Sequence, residues 1–72
     1  MQYFVVINCE STLYNQENVY ELKKEIYKNK GLPVKSYYLV RNGSILEDND
    51  KLNNLDNIYL SIKAHYKLGI IL

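Results

Sequence analysis

A single cysteine, one proline, three glycines and no tryptophan leave this 72-residue chain without the usual staples of very small domains. One thiol, Cys9, excludes an internal disulfide and a thiolate metal cage, so packing alone must hold the fold. A free thiol also fits a reducing compartment. Neither sign of charge dominates: nine basic against eight acidic residues give a formal +1, with no global pull towards nucleic acid or anionic membrane. No apolar run reaches the length of a membrane span, and the short apolar opening carries no basic leader or cleavage signal. The expectation is a soluble protein of the cytoplasm or nucleus, with no membrane partner and no sequence-specific nucleic-acid binding. His65 has no Cys, Asp or His at ligand spacing, Cys9 has no nearby histidine to activate it, and no phosphate-binding glycine loop is present. The chain is therefore expected to be no enzyme and to need no cofactor or metal.

What is there is apolar and rich in tyrosine. An apolar share of 47% argues against disorder. The eight tyrosines accompany abundant Asn, Lys and Ile, the composition of a genome rich in A and T. Tyrosine also suits half-buried strands, where the ring packs and the hydroxyl reaches water.

Met1, Tyr3, Val5 and Ile7 alternate with Gln2, Phe4, Val6 and Asn8, a period-two strand with one strongly apolar face. A polar break over residues 8–11 and a short return strand over 12–15 complete a hairpin. Asn18 can cap a helix whose Val19, Leu22 and Ile26 share one face, with Glu21 placed to close a capping box. Gly31 supplies the left-handed stop and Pro33 bars continuation. Residues 37–40 have strand character. Asn42-Gly43 is a hairpin signal because both residues tolerate positive φ, and Ile45-Leu46 returns briefly. Leu52 and Leu55 anchor an irregular stretch. Ile58, Leu60 and Ile62 then alternate with Tyr59, Ser61 and Lys63 in a last strand.

Met1-Gln2-Tyr3-Phe4-Val5, Gly31-Leu32-Pro33 and Leu46-Glu47-Asp48 occur in the order and near the spacing of ubiquitin, so the chain resembles the ubiquitin-like family over most of its length. The element order matches: an α+β β-grasp, with a mixed sheet of four to five strands packed on one helix. The resemblance implies that the first and last strands lie side by side in parallel at the sheet centre. It implies a core of Met1, Tyr3, Val5, Leu13, Val19, Leu22, Ile26, Leu39, Leu46, Leu52, Ile58 and Leu60. Residues 1–64 form the ubiquitin-like domain and 65–72 an apolar tail.

Ubiquitin-like proteins perform no chemistry and are read by binding domains, so the implied function is protein interaction. Family modifiers end in two glycines, since only a thin tail threads the activating enzymes. Here Gly69 stands alone before the bulky Ile70, Ile71 and Leu72, so conjugation by the usual route is not expected. Lys23 matches a family lysine on the helix, but Ser44 occupies the commonest chain-linking position. Of the family's apolar recognition patch, Val40 matches the central isoleucine, while Tyr59 and Ser61 stand for its histidine and valine. The leucine of the first hairpin loop has no counterpart. Phe4 and Val6, averted from the first strand's core side, offer a different apolar surface.

An apolar tip such as Ile70-Ile71-Leu72 is disfavoured in water. It should fold back, add along a strand or dock into a partner. Three expectations follow. The first is a non-conjugated ubiquitin-like interaction domain, meeting a protein partner through the sheet face or the tail. The second is a degenerate ubiquitin-like moiety of a ribosomal-protein fusion, retained on the ribosome as its partner. The third is an atypical modifier, which needs a protease that trims back to Gly69.

Overall fold

The computed structural model describes residues 1–63. β1 (Tyr3–Ile7) turns back into β2 (Glu10–Tyr14). The helix α1 (Val19–Lys30) follows, then a 3-10 turn over Val34–Ser36, β3 (Tyr37–Arg41), the two-residue β4 (Ser44–Ile45) and β5 (Asn57–Ile62). The five strands form one mixed sheet in the order β2-β1-β5-β3-β4. β1 and β5 run parallel with Val5 beside Ile58, and every other pairing is antiparallel. This is an α+β arrangement of a mixed sheet packed with one helix, compatible with a β-grasp.

Each turn has a local cause. Asn8 and Cys9 sit at φ 52° and 68°, and Asn42 and Gly43 at φ 54° and 80°. Both hairpins therefore close through two consecutive left-handed residues, the turn whose twist matches that of the strands. The first turn is consequently tighter than the polar break over 8–11 suggests, and Glu10 and Ser11 belong to β2. Asn18 caps α1 as expected, its Oδ1 accepting from the Glu21 amide at 2.9 Å. Glu21 does not close the box; its carboxylate faces Lys24 Nζ at 4.0 Å instead. The loop after β4 serves the remaining free amides of the first turn: Val19 N donates to Asp50 O and Tyr20 N to Asp48 O, at 3.1 and 2.9 Å. Gly31 ends the helix at φ 72°, its N–H donating to Tyr27 O.

The core lies between α1 and the inner sheet face. Val19, Leu22 and Ile26 of the helix meet Tyr3, Val5, Leu39 and Ile58, all fully buried. Four core expectations need correction. Met1 and Leu13 are each 51% exposed, and Leu60 is only partly buried at the edge of the core. Leu13 pairs with the outward Phe4 and so lies on the outer face, while Tyr14, opposite Tyr3, points inward. Leu55, expected as an anchor, is 67% exposed and sits at φ 65°. Ile7, Tyr14 and Tyr37 take up the vacated core positions.

Three tyrosines are thus buried outright rather than half-exposed. Tyr3 resolves its hydroxyl by donating to Gln16 O at 2.8 Å. The Tyr14 and Tyr37 hydroxyls have no hydrogen-bond partner among the described residues. Burial pushes the Tyr3 and Tyr37 phenols up to about 12, with Tyr14 and Asp48 adding to the effect at Tyr37.

Arg41 ends the inner face of β3 as a clamp. Its Nη1 donates to Asp56 Oδ2 at 2.8 Å and to Lys51 O at 3.1 Å. The same Asp56 oxygen accepts from Asn53 N at 3.0 Å, so one ion pair fixes the irregular segment leading into β5.

Candidate functional site

Strand pairing decides which side chains share the sheet face turned away from α1. Residues directly opposite one another point to the same side, and alternate residues along a strand to opposite sides. Val5 and Ile58 point into the core, so their neighbours Val6 and Tyr59 point out, side by side. Tyr59 in turn pairs with Val40, and Val40 with Ile45. Val6, Tyr59, Val40 and Ile45 therefore form one apolar row across β1, β5, β3 and β4. Phe4 and Leu13 extend it at the β2 side, and Ser61 with Tyr38 borders it at the other end of β5.

The two surfaces expected separately, one around Val40, Tyr59 and Ser61 and one at Phe4 and Val6, are thereby a single continuous face. Tyr59 is 52% and Ile45 62% exposed, while Phe4, Val6, Val40, Tyr38 and Ser61 are half-buried. Row and flanks carry no charged side chain, because Arg41 at the end of β3 is turned inward to Asp56. Contiguous exposed apolar side chains of this kind are what a partner's apolar surface covers. Sequence reasoning missed Ile45, Leu13 and Tyr38 as members of this face. For Ile45 the signal existed: a two-residue Asn42-Gly43 turn places residue 45 opposite residue 40. The tail residues Ile70, Ile71 and Leu72, and His65 with them, lie outside the described residues.

Chemistry is sparse elsewhere. Among the described residues no three His, Cys, Asp or Glu side chains gather as metal ligands. Cys9 is exposed at the tip of the first hairpin. No helix among the described residues is long and apolar enough to cross a membrane. Lys23, which matches a family lysine on the helix, holds Asp48 Oδ1 at 2.9 Å, and this pins the loop after β4 to α1.

Alongside β3, α1 and the segment around Val34 border two adjoining open hollows of about 510 and 640 Å³, the larger also lined by Tyr38 and Ile45 at the border of the apolar row. They share Lys24, Val34 and Lys35, so together they make one groove along the helix. Compared with known proteins, the chain matches no family model and no curated protein.

Proposed function

We propose that this chain is a ubiquitin-like β-grasp domain acting as a non-enzymatic, non-conjugated protein-interaction module. Its principal contact is the outer sheet face: Phe4, Val6, Val40 and Tyr59, with Ile45 added and Ser61 at the border. The carrying observation is the uncharged row Val6–Tyr59–Val40–Ile45, continuous through four strands. Support also comes from the sequence resemblance and from the parallel β1–β5 pair. A flat apolar face on a rigid sheet suits recognition, since little conformational entropy is lost when a partner covers it. Ile70, Ile71 and Leu72 are a second apolar contact in this reading.

Two experiments test it. Val40→Arg puts a charge at the centre of the row on a half-buried outer position; it should leave folding nearly intact and reduce capture of partner proteins at least tenfold. Unchanged capture by Val40→Arg, together with loss on deletion of residues 70–72, would move the contact from the sheet to the tail. A denaturing immunoblot for the domain checks the remaining alternatives. One band at 8.5 kDa fits the free module. A discrete larger band that sediments with ribosomal subunits identifies the ribosomal fusion, and a ladder of conjugates would refute the non-conjugated reading.

A further inference from the structure

The groove between α1 and β3 differs from the outer sheet face in its charge. Lys23, Lys24, Lys35 and Lys63 line the larger hollow against one carboxylate, Asp48. The whole chain carries almost equal numbers of basic and acidic residues, so this positive cluster is a local segregation of charge. Asp48 is taken up by Lys23 at 2.9 Å. Lys24 stands 5.3 Å above the Tyr20 ring and reaches Glu21 only at 4.0 Å, and neither Lys35 nor Lys63 has an ion-pair partner among the described residues. The groove is apolar below these ammonium groups: Tyr27, Pro33 and Val34 line its smaller end, and Ile45 and Leu46 its larger end. Val34 and Tyr27 remain 42% and 58% exposed.

Apolar walls rimmed by lysines, of which Lys35 and Lys63 have no ion-pair partner among the described residues, select one kind of occupant. The walls favour an aliphatic or aromatic side chain, and the rim favours carboxylates a few ångströms to either side. We propose that the α1–β3 groove is a second docking site, taken by an acidic peptide segment with an apolar residue between carboxylates. Nucleic acid is the less fitting occupant, because phosphate tracking needs a basic stripe and the overall charge is only +1. This reading does not rest on the outer sheet face; Ile45, and Tyr38 at the border of that face, belong to both.

The test uses the full chain and a short labelled peptide of glutamates flanking leucine, with a glutamine analogue of the same length and an oligouridylate as comparators. Titration followed by amide NMR should shift Lys24, Val34, Lys35 and Ile45 with the glutamate peptide and leave them in place with the glutamine one. Lys24→Glu/Lys35→Glu changes two exposed side chains and should weaken the glutamate peptide about tenfold, as should added salt, since these are surface charge pairs. Val40→Arg should leave that affinity unchanged, which separates failure here from failure of the outer-face reading. Shifts confined to the outer face, equal binding of the glutamine peptide, tighter binding of the oligouridylate, or indifference to the double charge reversal would each overturn the proposal.

Discussion

Tyr37→Phe removes one oxygen atom from the core and should make the domain more stable. The ring is 1% exposed and its hydroxyl has no partner among the described residues. An unsatisfied buried hydroxyl costs about 1–3 kcal/mol, so removing it should gain about 1 kcal/mol at neutral pH while the ring contacts persist. The gain should widen in alkali. The Tyr37 phenol is raised from 10.0 to about 12 by burial, so the folded state holds its proton more tightly than the unfolded state does. That contribution is complete below pH 10 and is lost as pH rises towards 12. At 1.36 kcal/mol per pKa unit, two units amount to about 2.7 kcal/mol. The variant has no such loss at this position, so its advantage should grow from about 1 kcal/mol at pH 7 to about 3 kcal/mol at pH 12, where most of that amount has been lost. Urea denaturation followed by far-ultraviolet circular dichroism at a series of pH values reads both terms. Tyr3→Phe is the control. It deletes the same atom, but one that donates to Gln16 O at 2.8 Å, and should cost about 1 kcal/mol at neutral pH. Equal signs for the two variants at pH 7, or a Tyr37→Phe gap that stays flat above pH 10, would refute the reasoning.

Asp56→Ala should destabilise by about 2 kcal/mol in the same assay, because it leaves Arg41, 22% exposed, without its charged acceptor and frees Asn53 N. Conversely, Cys9→Gly should stabilise by about 0.5–1 kcal/mol, since Cys9 is held at φ 68° in a turn that favours glycine at its second position. Unchanged or lower stability of Cys9→Gly would mean that chain entropy gained in the unfolded state outweighs the relief of that turn.

The helix and its ends were legible from the residues because both caps are local: Asn18 and Gly31 act within one turn of their own positions. The second hairpin was legible for the same reason, through Asn42-Gly43. The first hairpin was not. Cysteine is no signature of a left-handed turn residue, so a four-residue break was the natural reading of residues 8–11. The two-residue turn shifts the pairing by two residues, an even slip that keeps each side chain on its face; Leu13 was placed in the core by the family resemblance, and its position opposite the outward Phe4 puts it outside, with Tyr14 inside. Tyr14 and Tyr37 were hidden by composition, since a tyrosine-rich chain gives no hint of which rings are buried. The Arg41–Asp56 pair joins residues fifteen apart across a loop of irregular backbone, a contact that no periodicity announces. At the candidate site, single members were readable from the family resemblance. Their fusion into one face was not, because it depends on which strand lies beside which.

The order β2-β1-β5-β3-β4 also governs how the chain comes to be folded. During synthesis the first hairpin and the helix can form from neighbouring residues as soon as they emerge. The sheet cannot, because its middle strand is made after the other four, and Val5 must wait for Ile58 to reach it. Until then β1 and β3 have no common neighbour, and the inner faces of both are open to chaperones and to other nascent chains. Completion of β5 joins the two halves in one closing step, so loss of this strand should leave two separate hairpins and a helix without a shared core.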